Sequence, residues 1–441
     1  MVAFSGRVIR FRDASQDVYI AGKTGKALKS VDTKPKRNGQ QKQQDGEDTR
    51  TDLLQPFVRT SPLAVVVLGM AFIGLVPVSF NCLYKPLLSV RRSSLVYAVL
   101  LYSTFCVSYA FVWKDQLGKV LDPSSNWDSK LFSLEAILAL LPCSIGPWVW
   151  TCTTNLRKLM WDFAEYEESF LSVTNQHLRD RWASRVRNLR GFIFVLFVIV
   201  GLGVTIAMLF SEIQNEYKSD DLAGTLVDMR FYLPAAYSST VISTLLLMLN
   251  TTYSLQLREA ATALSEHLNQ LRPGDTVGVR RAQKLWVSLR ALFNDRPSVY
   301  LLDVFFVSHI FIMMLLAVYL SFALLSLRIV MLAASQYFWM LFLGFELFWM
   351  SDLAHAAVTA MHGPVVSALD KLSLDAHDEH FHRAVTFFYM SVSSRPAHLS
   401  LSGFTSVDRP LFTSIVSLSV TYLVIMVQFR SDKSHPSSPP Q

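Results

Sequence analysis

Charged residues make up only 17% of this 441-residue chain, against about a quarter in soluble domains. With 51% apolar residues and a mean hydropathy of +0.31, that shortage excludes an ordinary water-soluble globule and points to a polytopic membrane protein. Cysteine is equally sparse. Cys82, Cys106, Cys143 and Cys152 lie in or beside apolar segments without paired spacing, which argues against a disulfide framework or a zinc site and for small buried hydrophobes. Also missing are a Gly-rich phosphate loop, a nucleophile elbow and any metal-ligand spacing, so neither an enzyme nor a cofactor is expected. The chain lacks the n-region, short apolar core and small-residue cleavage site of a secretory signal; insertion is expected to follow from the first true span.

The formal charge of +7 does not indicate nucleic acid. Residues 1–50 hold 11 Lys/Arg against 6 Asp/Glu, which leaves the rest nearly neutral. That stretch, including Gln40-Gln41-Lys42-Gln43-Gln44, has neither periodicity nor apolar mass to offset its ordering entropy. It reads as a disordered tail over 1–55, either solvated or touching anionic lipid heads.

Apolar runs occur at 62–84, 93–113, 131–152, 191–210, 231–253, 300–327, 330–352 and 410–429, each long enough to cross about 30 Å of hydrocarbon. Cytoplasmic loops retain Lys and Arg, so the charges can be counted on alternate sides. If all eight segments cross, the two sides hold 20 and 21; if the first does not, they hold 33 and 8. The second arrangement carries the bias. It gives an all-α protein with seven transmembrane helices, N-terminus inside and C-terminus outside. The first segment contains Pro62, Gly69, Gly74 and Pro77, and residues 56–92 read as a broken, interfacial or re-entrant helix.

Helical periodicity continues outside the spans. Leu257, Ala261, Leu264, Leu268 and Leu271 recur every three or four residues until Arg272-Pro273-Gly274-Asp275 ends the run. Ala282, Leu285, Leu289 and Leu292 form a second stripe; Leu178, Trp182, Val186 and Leu189 form a third. These predict cytoplasmic helical extensions within 153–190, 254–299 and 356–409, packed within the chain or between chains. Six spans and these extensions occupy 93–409, the last helix 410–429, and a short external tail 430–441.

Glu135, Asp303, His309, Gln336, Glu346 and Gln428 fall inside the spans, where a polar side chain must face protein or water. Asp303 and Glu135 can reach an interface. His309 and Glu346 lie deeper, and serve either in structural hydrogen bonding or in ligand contact. The stretch His377, Asp378, Glu379, His380 and His382 is rich in ligand types, but no second cluster accompanies it, and it reads as polar surface, not as a metal site.

The eighth segment ends in Thr421-Tyr422-Leu423-Val424-Ile425-Met426-Val427-Gln428-Phe429. A carboxamide at the far end of an apolar helix requires partners or water, and water implies a pore or cavity. Thr421, Ile425 and Gln428 share one helical face. With Gly403-Phe404 and Asp408-Arg409-Pro410 before it, this tail closely resembles the Thr-Tyr-(five apolar)-Gln-Phe signature of arthropod gustatory receptors. The run from Ser61-Pro62-Leu63 to Gly74-Leu75-Val76-Pro77 is similar to the family's N-terminal pattern ending in Gly-x-x-Pro.

The resemblance implies a last helix lining a pore shared by four subunits, with Ile425 at the constriction, Gln428 at the mouth, and the cytoplasmic helices as an anchor where subunits meet. It implies a ligand-gated, non-selective cation channel, a homo- or hetero-tetramer with other gustatory receptors, in the plasma membrane of a sensory neuron, opened by a small tastant. Sugar receptors of the family carry Glu after Thr-Tyr, where this chain has Leu423; bitter, fructose-type and carbon-dioxide branches stay open. Candidate pocket residues lie in the outer halves of spans four to six: Tyr232, Tyr237, Tyr319, Gln336, Tyr337 and Trp339. An aromatic belt at the headgroups explains Tyr232 and Trp339 equally well.

Two other classes have seven or more spans. A G-protein-coupled receptor places its N-terminus outside, opposite to the charge count; Asp180-Arg181-Trp182 precedes a span here, and the last helix has no Asn-Pro-x-x-Tyr. A secondary transporter would explain the break at Pro142, Gly146 and Pro147, but no matching broken helix appears in an inverted half.

Overall fold

Apolar runs of this length leave the backbone one solution in a bilayer. Every N–H and C=O must find an internal partner, and a helix supplies them within the segment. The computed structural model describes residues 61–73, 92–125, 127–216, 229–294, 299–326, 330–375, 378–401 and 405–433. The chain divides into two units, Met1–Thr49 and Arg50–Gln441, and every described residue belongs to the second. The expected tails and residues 74–91 lie outside the described residues.

Helix α1, Pro62–Phe72, is 11 residues long, about 16 Å, half of what a crossing needs. It is buried against α5 and α6, and Gly69 allows the approach: a methyl group there would meet Phe197 at 3.1 Å and Leu245 at 3.2 Å. The spans follow. The first is α2, Arg92–Leu121; the second is α3, Trp127–Ala139, continued through a 3₁₀ turn at Leu141–Ile145 into α4, Gly146–Val173. Pro142 and Pro147 interrupt the helical ladder at this joint, and side chains of neighbouring helices donate to the freed carbonyls. Tyr102 O–H donates to the Cys143 carbonyl, and Ser239 O–H donates to that of Ala139.

Helices α5 (Gln176–Glu216), α6 (Met229–Asn269) and α9 (Val330–Leu374) have 41, 41 and 45 residues. At 1.5 Å per residue they run about 60–67 Å, twice the hydrocarbon thickness, so each leaves the membrane as an unbroken helix. Helix α8, Val299–Ser326, is the fifth span, and α11, Arg409–Lys433, is the last. Within the membrane α6 is central, touching α1, α2, α5 and α9.

Outside the bilayer, the three stripes are consumed within the chain. Leu257, Ala261, Leu264 and Leu268 on α6 are fully buried. They face a core shared with α7 (Thr276–Asn294), whose Ala282, Leu285, Leu289 and Leu292 are buried as well. Trp182 and Val186 of α5 belong to the same cluster, and Leu178 is buried as well. Gly274 makes the turn between α6 and α7 at φ +95°, a backbone state that glycine adopts without a Cβ clash. Helix α10, Glu379–Ser394, packs on α7 and α9. Its N-cap is Asp378, whose carboxylate accepts from His380 N–H.

One feature departs from a purely helical reading. Before α11 the chain forms a two-residue antiparallel ladder, β1 (Ser400–Leu401) with β2 (Thr405–Ser406), and Val407 N–H donates to Leu399 C=O at 2.7 Å. This short hairpin sets the entry of the last helix. Residues 402–404, including Gly403-Phe404, lie outside the described residues.

Burial in this cluster also moves an acid. Glu167 on α4 lies about 25 Å along the helix beyond Trp150, and Trp182 Nε1–H donates to it at 2.8 Å. Burial nonetheless pushes its carboxyl up from 4.5 to about 7. A raised acid pKa makes the folded state hold a proton that the unfolded chain has lost. Thermal stability of the purified protein should therefore fall as pH rises from 4.5 to about 7, by on the order of 3 kcal/mol, and level off above. Glu167→Gln should flatten that slope. Leu264→Ala should lower stability at all pH values by about 3 kcal/mol, read as a drop in the melting temperature of detergent-solubilised protein.

Candidate functional site

Four membrane helices, α3, α6, α8 and α9, converge on a cavity of ≈ 30 Å³, room for one or two waters. Helix α9 presents Trp339, Phe342, Leu343 and Glu346, the i, i+3, i+4, i+7 set that a helix places on one face. Helix α6 contributes Ser239, Thr240, Ser243 and Thr244; helix α8 contributes Phe306, His309 and Met313. Glu346 is 4% exposed and His309 8%. Neither has a hydrogen bond or ion pair among the described residues. The His309 ring stacks on Phe305 with centroids 6.1 Å apart, which fixes its plane, and Trp339 stacks on Phe342 at 5.6 Å.

The candidate pocket residues are distributed unevenly. Trp339 lines the cavity together with His309 and Glu346. Gln336 does not; its Nε2 donates to Glu135 Oε2 at 3.3 Å and ties α9 to α3. Tyr319 is fully buried in a separate cluster with Leu131, Leu316 and Leu320. Tyr337 is 56% exposed on the outer surface. Tyr232 and Tyr237 lie on α6, but their side chains lie outside the described residues. The hydroxyl run Ser239-Thr240 and Ser243-Thr244 was not singled out by sequence reasoning. Its signal is the recurrence of Ser and Thr on one face of an otherwise apolar span.

The last helix has two unlike sides. Phe412, Ile415 and Ser419 face the protein, against α8 and α9. Thr413, Ser414, Ser417, Thr421 and Gln428 occupy the opposite, exposed arc, with Leu418, Val424 and Ile425 among them. Thr413 and Thr421 turn their hydroxyls back onto the carbonyls of Pro410 and Ser417. Ser414, Ser417 and Gln428 have no side-chain partner among the described residues.

Helix α9 joins the cavity to this helix. Two turns beyond Glu346, Asp352 accepts Arg409 Nε–H at 2.8 Å and Nη2–H at 2.8 Å, and Phe348 packs edge-on against Phe412 at 5.4 Å. Asp408 accepts Leu411 N–H and caps α11. The Asp-Arg-Pro run that marks the start of the helix thus contributes a cap, a link to α9, and a proline at the position where no N–H is needed. Among the described residues no His/Cys/Asp/Glu group could hold a metal ion; His377 lies outside them.

Residues 63–432 match the family described as 7tm Chemosensory receptor. Gustatory and odorant receptor 24 of Anopheles gambiae is 21% identical over 349 residues, covering 76% of this chain and 71% of that protein. Gustatory and odorant receptor 22 of the same mosquito is 30% identical over 84 residues, 19% of this chain and 18% of that one. Among solved structures, the insect olfactory receptor OR5 from Machilis hrabei superposes with a TM-score of 0.53 at 13% identity, covering 77% of this chain and 90% of that one. At that identity the likeness is one of fold, a bundle of seven transmembrane helices.

The link between α9 and α11 is measurable by itself. Asp352→Asn and Arg409→Gln should each lower the melting temperature slightly. Because the pair is partly exposed, their double-mutant cycle should return a coupling of about 0.5 kcal/mol. Additive effects would show that the two residues do not act as a pair.

Proposed function

The chain belongs to the 7tm chemosensory receptor family, and from that premise we propose that it is a gustatory receptor: a tetrameric, non-selective cation channel of the plasma membrane, opened by a small tastant. A chemosensory receptor of this family is a multi-pass membrane protein and not an enzyme. The observation that carries the finer reading is the outer arc of α11. In lipid it would set Ser414, Ser417 and Gln428 without partners into or beside hydrocarbon, which is unfavourable. Around a water-filled axis shared by copies of the chain, the same groups meet water and hydrated ions.

Ile425 then has a distinct role. It lies 39% exposed on the same arc, one turn inside Gln428, and a ring of such side chains closes a narrow pore by dewetting. The cytoplasmic helices supply contact area for assembly. Their stripes are spent inside the protomer, and exposed apolar side chains that include Phe387 and Met390 on α10, 65% and 61% exposed, offer surface toward another copy. Gating requires a ligand that binds the open state better than the closed one, and α9 supplies a rigid path from the cavity to the root of α11.

Expression in oocytes, with current recorded before and after a tastant panel, tests this reading. Ile425→Ala should raise current in the absence of ligand: weakening the closed state by about 1.4 kcal/mol raises the open population roughly tenfold. Gln428→Ala should alter relative cation permeability with little change in leak. A basal current unchanged by Ile425→Ala would sink the gate assignment, and a tag at Gln441 that labels only after permeabilisation would overturn the orientation.

A further inference from the structure

We propose that the cavity between α3, α6, α8 and α9 is an ammonium site, with Glu346 as counter-charge, so that the receptor's ligands are small molecules bearing a primary or secondary amine. The inference rests on the chemosensory-channel reading only for the consequence of binding; the site itself rests on geometry.

The three acids buried in the spans differ. Glu135 is held by Gln336, and Asp303 has an interaction of its own within the protein. Glu346 alone of the three has no partner, while lying 4% exposed on a cavity wall. A carboxyl group in a membrane interior either keeps its proton or takes a cation, and no Lys or Arg lines this cavity. His309 shares the cavity but forms no ion pair with Glu346. An ionised Glu346 therefore takes its cation from outside the chain.

The remaining walls suit an ammonium group better than a neutral polyol. Phe306, Trp339 and Phe342 line the site, and the face of an aromatic ring attracts a cation, most strongly away from water. Ser243 and Thr244 add two hydroxyl acceptors, so that an ammonium with three N–H groups can satisfy one on Glu346 and two on α6. A sugar would need a partner for each of several hydroxyls, and the apolar Met313, Ile310 and Leu343 on the same walls supply none. The ≈ 30 Å³ of space admits a bare ammonium head; a trimethylammonium head is too large and has no N–H to donate. The rest of the ligand has to displace aromatic side chains, and Trp339 and Glu346 sit on the helix that reaches Arg409.

The test uses the purified full-length chain in lipid nanodiscs, with three probes on one phenethyl frame: phenethylamine, the neutral phenethyl alcohol, and phenethyltrimethylammonium. Binding is read by thermal shift and by titration at neutral pH. Wild type should bind phenethylamine about tenfold or more tightly than the alcohol or the quaternary compound, a preference of the size expected for a charged partner in a dry site. Glu346→Gln should remove that preference and leave binding of the alcohol unchanged. Because the wild-type ratio alone tests the idea, a poorly folding variant does not blunt it. Equal affinity for amine and alcohol, an amine preference that survives Glu346→Gln, or no binding of the amine at millimolar concentration would each overturn the site. Current recordings separate the two readings. Amine binding without current removes the channel and leaves the site, whereas current evoked by a neutral sugar and unaffected by Glu346→Gln removes the site and leaves the channel.

Discussion

Every feature of this protein answers to one constraint, that hydrocarbon supplies no hydrogen bonds. Long apolar segments satisfy it by becoming helices. Where prolines break the helix between Ala139 and Gly146, the exposed carbonyls of Ala139 and Cys143 are met by a serine and a tyrosine from neighbouring helices. The same constraint makes the exceptions informative. Glu346 facing a cavity without a partner and Gln428 facing outward are most favourable where something polar arrives there. An amine in the first place and water in the second are the occupants that the surrounding chemistry suits.

Continuity of the long helices connects the two places. Helix α9 runs past the cavity and on into the buried cluster in 45 residues, and its contacts change character along the way. Trp339, Leu343 and Glu346 face the cavity; Phe348 and Asp352, within two turns, hold the base of α11. On the proposed reading, a rigid element with one end in a ligand site and the other on a pore helix needs no long relay of side chains. Displacement of Trp339 or Glu346 by a ligand is a movement of the same rod that carries Asp352. The cytoplasmic cluster steadies that rod, because the distal half of α9 packs through Ala357, Met361, Val365 and Leu369 into the buried core.

Much of this was legible without coordinates, and the parts that were not share a cause. Leu257, Ala261, Leu264 and Leu268 announced a buried face by spacing alone, since helical periodicity needs no knowledge of the partner. The partner was not readable: the stripes suited packing between subunits as well as within one, and α7 proved to cover them. Five of the six pocket candidates are aromatic residues at the expected depth, and the sixth is Gln336. Depth is fixed by position in a span, but direction around the helix is not. Tyr337 and Trp339 are two residues apart and therefore about 200° apart on α9, so one faces outward and the other the cavity. Ser243 and Thr244 escaped notice because hydroxyls in membrane helices commonly bond to their own backbone and carry no distinctive signal.

The sequence by itself determined the class and the family and gave an expected orientation, because those depend on hydropathy, charge bias and a terminal motif, all of them local sums along the chain. It also named the polar groups that the membrane would not leave idle. Tertiary structure alone decided which of them are spent and which are free: Glu135 is taken by Gln336, 201 residues away, while Glu346 meets only a cavity. A side chain's partner lies across the bundle, at a rotation and depth set by how the helices pack, and neither is written in the residues that flank it.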